Sequence, residues 1–382
     1  MPTPATMSRR ALNRATLSRQ LLLERSALRP YDALHTLAGM QAQAPLAPHV
    51  GLWTRLRGYT PAVLDGLYDA RRVLRANLMR ATVHLVTTED ALRWQALLAP
   101  IGARSVQAAF GKRLNGIDLD ALTHTARRLL HAEALSTAEL GLRLVECFPG
   151  YDADALAYGA RGRLGLIHVP PRGKWNASAP TRQTTFAAYL DREPDSAGTP
   201  DEMFLRYLAA FGPAGVQDAQ AWSGLTRLSE VAERLLSELV VLRDEAGRTL
   251  YDLPHAPRPS EFVAVPVRFL PEYDNLFFGY ADRTRFVPDQ RKPPIPPGNG
   301  ARTGTVFVDG EWRATWKIAL PRAAKAGGRS ANTDAETKPA VLTVARFQKL
   351  SAAETEAIES EGTELARFIA GPGAPVRVEV SG

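Results

Sequence analysis

Apolar positions at helical spacing followed by two short alternating runs occur three times along the chain. The pattern is clearest in residues 200–254, where Thr199 and Pro200 are typical of a helix start. That helix is predicted to end near Phe211, and a strand–turn–strand segment is centred on Gly247. Two more helices are predicted between them, over Val216–Ser223 and Leu228–Leu239. Three helices and a two-stranded wing make a winged helix.

The same order is predicted in two earlier segments. In residues 118–179 it comprises helices over Asp120–His131, Thr137–Glu146 and Asp152–Arg163, the strand Leu164–Val169 and a turn at Pro170–Gly173. In residues 8–87 it comprises helices over Leu17–Leu23, Tyr31–Met40, Val50–Arg57 and Ala62–Asp69, then strands over 73–79 and 82–86. A connecting helix, Glu89–Leu98, is predicted to follow with Thr88 as its cap.

The C-terminal third has a different pattern. Alternating apolar runs predict strands over 262–270, 304–310, 312–320, 341–347 and 376–380, with one helix over Ala352–Ile369. Proline-rich residues 287–300 and Ala/Gly/Ser/Thr-rich residues 321–339 are predicted loops.

The predicted fold class is therefore α+β, with three tandem winged-helix units and a β-rich, barrel-like C-terminal subdomain. The predicted boundaries are 8–117 for the first unit with its connecting helix, 118–198 for the second, 199–260 for the third and 261–382 for the subdomain.

Composition excludes several classes of protein. The 382 residues are 45% hydrophobic, which is enough for a substantial core, yet no run is long and apolar enough to predict a membrane span. The N-terminus lacks the apolar segment of a secretory signal. A single cysteine, Cys147, and scattered histidines predict neither a disulfide framework nor a metal site, and no cofactor is expected.

The formal net charge is +7 and the isoelectric point is about 9.6. Arginine supplies most of the positive charge, and its planar fork binds phosphate oxygens in pairs. A polyanion such as a nucleic acid fits this balance. GC-rich codon bias would raise arginine as well, so charge alone leaves the choice open.

The most informative local motif is Gln41-Ala42-Gln43. Two amides can orient one water molecule without the charge of a carboxylate, which suffices only when the leaving group is already good. In a helix these side chains would point about 200° apart, so the helix must end near Met40. Pro45 biases Ala44 away from helical angles, and an extended or helix-terminal turn is predicted. The alternative is that the amides only cap the helix or bond the neighbouring backbone.

Six stretches of the sequence resemble the winged-helix DNA glycosylases of the AlkZ/YcaQ type. They are MQAQAP (40–45), LMRATVHLV (78–86), PPRGKW (170–175), FGPAGVQDAQAWSGL (211–225), LPEYDNLFFGYADRTRFV (270–287) and VFVDGEWRATW (306–316). Gln41 and Gln43 fall on that family's glutamine-x-glutamine catalytic motif. A related branch has aspartate at the second place, so Gln43 puts this chain on the AlkZ-like side.

The resemblance implies excision of bulky N7-alkylated guanines from double-stranded DNA, and several family members give self-resistance to a DNA-alkylating natural product. N7 alkylation leaves a positive charge on the base, which then departs as a neutral molecule. Since no lysine lies near the motif, a monofunctional enzyme without lyase activity is expected. We also expect a monomer that works in the cytoplasm, at the bacterial nucleoid, and that acts on duplex DNA without flipping the lesion far out of the stack.

Four further residues are candidates for supporting the catalytic pocket: His84, His49, Asp274 and Asn275. His84 lies in the second strand of the first wing, and His49 follows the glutamines closely. Asp274 and Asn275 lie in the PEYDN stretch. Each has an ordinary structural alternative, because a lone strand histidine is usually structural and Asp and Asn often bond their own turn.

Two basic groups are predicted to contact DNA phosphates. The first lies around the first wing and consists of Arg71, Arg72, Arg75 and Arg80, and the second, at the turn of the second wing, consists of Arg172 and Lys174. Phosphate contacts position a protein without reading sequence. In a later hairpin, Arg313 and Lys317 are also predicted to face DNA, opposite Trp312 and Trp316, which core packing suits better.

Two other functions compete at this point. A winged-helix transcription regulator would share the fold and the charge, but it needs a recognition helix whose side chains read base edges. The predicted third helices have no such face beyond Arg55 and Arg57. A stoichiometric drug-sequestering protein is the third candidate.

Overall fold

The structure is a computed structural model that describes residues 4–288, 303–321 and 338–382. Its helices are α1 (Arg9–Arg19), α2 (Pro30–Thr36), α3 (Ala47–Arg55), α4 (Pro61–Asp69), α5 (Thr88–Phe110), α6 (Leu119–Ala132), α7 (Thr137–Cys147), α8 (Ala153–Arg163), α9 (Phe186–Leu190), α10 (Pro200–Phe211), α11 (Val216–Ser223), α12 (Leu228–Arg234), α13 (Asn275–Phe278) and α14 (Ala352–Ala370).

Its strands are β1 (Thr6–Met7), β2 (Met40–Gln41), β3 (Val73–Asn77), β4 (Val83–Thr87), β5 (Leu166–His168), β6 (Gln183–Thr185), β7 (Val240–Asp244), β8 (Thr249–Asp252), β9 (Arg268–Leu270), β10 (Gly304–Val308), β11 (Glu311–Ala319), β12 (Ala340–Arg346) and β13 (Val376–Ser381). The mixture of helices and sheets confirms the predicted α+β class.

Several helix starts follow from local side-chain chemistry. Ser136 and Glu139 form a reciprocal capping box at the start of α7. The hydroxyl of Thr199 accepts a hydrogen bond from the N–H of Glu202, and Pro200 occupies the first helical position of α10. These starts agree with the prediction because each depends on residues within one turn.

Other boundaries differ from the prediction. The first helix spans Arg9–Arg19 instead of 17–23, because the Ser8 side chain caps it. α5 continues past Pro100 to Phe110, and its cap is Thr87 rather than Thr88. The predicted helix over 228–239 ends at Arg234, and the strand over 262–270 is limited to Arg268–Leu270.

Three sheets organise the chain. The first has the order β2-β4-β3-β5-β6, so strands of the first and second predicted units form a single sheet. The join is the antiparallel pair β3–β5, in which Arg75 lies opposite His168. The second sheet, β1-β7-β8, adds an N-terminal strand to the third wing. Because strands cross the predicted boundaries, the division into three winged-helix units stays a prediction.

The third sheet has the order β13-β12-β11-β10-β9, and α14 packs on β12, β13 and β9. The largest buried cluster lies between the helical units and this sheet, and it contains Trp94, Tyr207, Phe211 and Trp222. The predicted loops 287–300 and 321–339 fall almost wholly outside the described residues.

Candidate active site

A tight turn after α2 places Gln41 in the short strand β2. The helix ends at Thr36, four residues before the predicted end, because Ala38 and Gly39 both have left-handed backbone angles (φ 54° and 86°). A Cβ atom at Gly39 would lie 2.5 Å from Cγ1 of Val86. Only glycine fits this close approach, and the chain leaves it in an extended conformation.

Gln41 lies at the end of strand β2, and Gln43 follows it at a bend, so neither glutamine is helical. Gln41 is opposite His84 in the β2–β4 pair, and the N–H of Ala42 donates to the carbonyl of Val83 at 2.8 Å. The two side chains contact each other: Nε2 of Gln41 donates to Oε1 of Gln43 at 2.5 Å. The amides contact each other directly rather than across a water.

Arg80 fixes the other end of the Gln41 amide. Its Nη2 donates to Oε1 of Gln41 at 2.7 Å, and its Nη1 donates to the carbonyl of Trp222. The guanidinium carbon lies 5.5 Å from the ring centre of Phe278. Burial, followed by the nearby charge of Arg283, lowers the pKa of Arg80 to about 10. The predicted phosphate contact at Arg80 disagrees with this geometry, because both terminal nitrogens bond the protein.

Asn275 and Asp274 have different roles at this site. Asn275 bonds the backbone of Gly39 and Gln41 through its side-chain amide. The carboxylate of Asp274 pairs with the guanidinium of Arg55 at 2.9 Å, and both side chains are buried. Asp274 also accepts from the N–H of Leu276, so it caps α13. Asp274 thus supports the fold, whereas Asn275 supports the glutamine turn itself.

His84 is buried beside the glutamines. Its Nδ1 donates to the carbonyl of Thr82 at 3.0 Å, and Nε2 has no hydrogen-bond partner among the described residues. Burial lowers the pKa of His84 to about 3, with a smaller contribution from Arg80. The ring is therefore neutral at physiological pH.

His49 bonds the second-wing turn and Tyr59. Its Nε2 donates to the carbonyl of Gly173 and its Nδ1 accepts from the Tyr59 hydroxyl, both at 2.9 Å. Its ring lies 5.1 Å from that of Trp175. Both ring nitrogens are occupied, so the suggested pocket role does not match its position. His49 instead ties α3 to the PPRGKW turn.

The arginines predicted to contact phosphates around the first wing differ in how far they are buried. Arg75 is buried, and its Nη2 donates to the carbonyl of Ala42 at 2.8 Å, inside the glutamine motif. This placement argues against phosphate contact and indicates a supporting role. Arg71 and Arg72 are exposed, and their guanidinium groups lie over the rings of Tyr189 and Tyr31.

At the second wing, Lys174 pairs with Asp69, and Arg172 donates to the carbonyl of Ala179 at 3.0 Å. Both side chains are half-buried.

The hairpin tryptophans pack into the protein. Trp312 and Trp316 are each 5% exposed, and the Nε1 of Trp316 donates to the carbonyl of Leu270. Arg313 and Lys317 lie on the other face; Lys317 is exposed, and Arg313 donates to the carbonyl of Lys349.

Two residues near this site, Arg283 and Trp222, are not among the candidates that the sequence indicates. Arg283 lies in the stretch LPEYDNLFFGYADRTRFV, next to Arg80. Nothing in the spacing of this stretch indicates that Arg283 lies near Arg80, the residue that bonds Gln41. Trp222, whose carbonyl anchors Arg80, was missed in the same way.

The site is thus a chain of three side chains, Arg80, Gln41 and Gln43, beside a neutral histidine. An amide oxygen accepts two hydrogen bonds, so Oε1 of Gln41 can bind a water in addition to Arg80. The arrangement can orient a nucleophile without removing its proton in advance.

The chain matches the model of the AlkZ-like DNA glycosylase family over residues 34–368. It belongs to this family. An interstrand DNA cross-link repair glycosylase of Streptomyces sahachiroi is 23% identical over 387 residues, which cover 95% of this chain and 96% of that protein. The solved structure of the Streptomyces sahachiroi DNA glycosylase AlkZ has a TM-score of 0.72 and 20% identity, and the match covers 98% of this chain and 100% of that one. This likeness shows a shared fold.

All six resembling stretches fall within the part of the chain that matches the AlkZ-like family. In residues 4–288, 303–321 and 338–382, no group of three or more His, Cys, Asp or Glu side chains could hold a metal ion. Over the same ranges, no helix of this AlkZ-like chain has the length and apolar character that crossing a membrane requires.

Proposed function

We propose that this protein is a monofunctional DNA glycosylase that hydrolyses the N-glycosidic bond of bulky N7-alkylguanine nucleotides in double-stranded DNA. The observation that carries the proposal is the hydrogen-bonded pair Gln41 and Gln43, held by Arg80. Neither partner of the Gln41 side chain is a carboxylate. A site built in this way suits a substrate whose base leaves without protonation.

The reaction then proceeds as follows. The C1′–N9 bond breaks, and its electron pair neutralises the positive charge that alkylation placed on the guanine. Water, oriented by the amide oxygens, adds to C1′ and releases a proton to solvent. The products are the free adducted base and an abasic sugar. Fixed dipoles of this sort lower the barrier through position and orientation.

The same chemistry limits which bases the enzyme can release. Unmodified guanine leaves as an anion, and Gln41 and Gln43 carry no acid that could protonate it. His84 is neutral and buried, so it is a poor proton donor in its place. Selectivity for alkylated bases follows, in this proposal, from the lack of a proton donor of suitable acidity on Gln41, Gln43 and His84.

We extend the proposal to interstrand crosslinks and to self-resistance against a DNA-alkylating natural product. The relative from Streptomyces sahachiroi is a cross-link repair glycosylase, and it is similar over nearly the whole chain. In residues 4–288, 303–321 and 338–382, no lysine bonds Gln41 or Arg80, which supports base release by water without a lyase step. We propose that the protein acts as a monomer on the nucleoid.

The test uses a duplex with one N7-alkylguanine at a defined position. Free adducted base is measured by mass spectrometry, and abasic sites are nicked with an abasic-site endonuclease. Strand breaks without that endonuclease would reveal a lyase. We expect Gln41→Ala and Gln43→Ala each to lower the single-turnover rate roughly 10²- to 10³-fold, the usual effect of removing one oriented polar group.

The exposed Gln107 on α5 provides the matched control, Gln107→Ala, whose rate should equal that of the wild type. A double variant, Gln41→Ala/Gln43→Ala, that still releases adduct at the wild-type rate would overturn the proposal. A footprint on undamaged DNA without base release would indicate a regulator instead.

A further inference from the structure

Arg283 lies near Arg80, the residue that bonds Gln41. It forms no ion pair with a carboxylate of the described residues. Its Nε donates to the carbonyl of Phe277 at 2.6 Å, and the side chain is half-buried. Neither of its terminal nitrogens bonds or pairs with any residue in the described part of the chain. An arginine fork in this state can take a bidentate anion.

Arg283 and Arg80 converge on the same short helix. Arg283 bonds the carbonyl of Phe277, while the guanidinium of Arg80 stacks on the ring of Phe278, the next residue. The two charges are close enough to act on one another, and burial lowers the pKa of both. The protein thus holds two like charges together at the glutamine turn.

The stretch LPEYDNLFFGYADRTRFV has three acidic residues, of which two form ion pairs, and burial raises the pKa of the third, Glu272. Asp282 pairs with Arg248, and Asp274 pairs with Arg55. The positive charge at Arg80 and Arg283 is therefore not balanced from within the described residues that adjoin them. An anion from outside the protein would balance it.

We infer that Arg283 binds a non-bridging oxygen of the phosphodiester that flanks the alkylated nucleotide, on the strand that carries the lesion. This inference rests on the proposed function. It places the target sugar beside Gln41, because Arg80 links the arginine pair to that amide.

Phosphate binding here also resolves an electrostatic conflict. Arg80 must lie near Gln41 to orient its amide, yet a cation there repels the positive charge that develops on the sugar. A phosphate bound at Arg283 supplies a compensating negative charge only when DNA is present. The substrate thereby completes the charge balance of the site.

The experiment combines a variant with a modified phosphate. Each phosphodiester within two nucleotides of the lesion is replaced in turn by an uncharged methylphosphonate. Equilibrium binding and single-turnover base release are both measured, for wild type and for Arg283→Gln. Arg367→Gln is the control, since Arg367 is exposed and pairs with Glu364 on α14.

In the wild type, we expect one methylphosphonate position to weaken binding by roughly ten- to a hundredfold, the usual range for a charge-assisted hydrogen bond. Arg283→Gln should bind the native duplex more weakly by a similar factor. The methylphosphonate at that one position should not weaken the binding of this variant any further. Arg283→Lys should recover part of the loss. Thermal unfolding of both variants establishes that the fold is retained.

The inference is wrong if Arg283→Gln binds the native duplex like the wild type, or if it remains as sensitive as the wild type at every methylphosphonate position. Because binding is read independently of catalysis, a wild type that shows the phosphate effect but releases no base would refute the proposed activity and leave the inference supported.

Discussion

The side chain of Asn275 pairs with the backbone of Gln41, although 234 residues separate them in sequence. Its Oδ1 accepts from the N–H of Gln41 at 3.4 Å, and its Nδ2 donates to the carbonyl of Gly39 at 2.7 Å. β2 is the edge strand of its sheet, so one side of its backbone has no strand partner. The Asn275 amide takes the place of that partner.

Asn275→Asp should destabilise the protein and slow base release. The carboxylate keeps an acceptor for the N–H of Gln41, but it has no donor and faces the carbonyl oxygen of Gly39. We expect the free energy of unfolding to fall by about 1–3 kcal/mol, the penalty for an unsatisfied buried group. Chemical denaturation measures it. The exposed Asn115→Asp is the control, and equal midpoints for the two variants would contradict the role of Asn275.

Arg80→Lys tests whether Arg80 orients the glutamines or contacts DNA. A lysine carries one compact ammonium group, so it cannot hold Gln41 and the Trp222 carbonyl with a rigid fork. We expect kcat to fall by roughly tenfold or more while KM changes little, since charge-assisted hydrogen bonds contribute about 1.5–3 kcal/mol. Single-turnover rates over a range of DNA concentrations separate the two constants.

The control for Arg80 is Arg234→Lys, which alters an exposed ion pair with Asp201. If Arg80→Lys weakened only duplex affinity, at an unchanged maximal rate, Arg80 would be a phosphate contact as the sequence first indicated.

Removal of charge at Arg71 and Arg72 should weaken binding to every duplex alike. Both side chains are exposed, and phosphate contacts carry no sequence information. For each of Arg71→Gln and Arg72→Gln, we expect the slope of log affinity against log salt to shrink by about one. Fluorescence anisotropy at several salt concentrations gives this slope. A loss that appeared with one sequence only would point to base reading instead.

Stability should decrease as the solution becomes acidic, with His84 as one cause. The unfolded chain binds a proton on His84 at the ordinary pKa of 6.5, whereas burial lowers the pKa of the folded form to about 3. The unfolded state therefore gains protons first as pH falls, and stability is lost below about pH 6.5. One such group removes roughly 2 kcal/mol between pH 7 and pH 5.

Burial lowers the pKa of His49 and His168 too, so they act in the same direction. Denaturation curves at several pH values should show a shallower dependence for His84→Gln than for the wild type. The control is a change at an exposed residue that does not titrate: Gln107→Ala should keep the wild-type dependence. If His84→Gln kept the full slope, His84 would not be a buried neutral histidine.

Local chemistry decided which structural features the sequence could predict. Thr199, Pro200 and Ser136 act within one helical turn, and the helices that they begin were predicted at the right positions. The end of α2 was placed too late, because Leu37 and Met40 continue the apolar period although Ala38 and Gly39 turn the chain. The sequence gives little sign of a left-handed alanine.

The candidate site divides in the same way. The spacing of Gln41 and Gln43, together with Pro45, predicts that the helix ends before them, and the structure agrees. The partners of Gln41 could not be predicted, since Arg80 and Asn275 reach it from 39 and 234 residues away. The sequence also does not show which arginine side chains are exposed. The buried Arg75 therefore falls in the same predicted phosphate-binding group as the exposed Arg71 and Arg72.

The pairing of β3 with β5 has a consequence for any attempt to shorten this protein. A fragment that stopped at residue 117 would keep Gln41 and Gln43 but lose β5 and β6 from their sheet. β3 would lose the antiparallel strand that lies opposite Arg75 and Ala76, and a bare edge of this kind favours aggregation. The smallest piece that retains the glutamine turn in its native surroundings therefore extends well beyond the segment that encodes it.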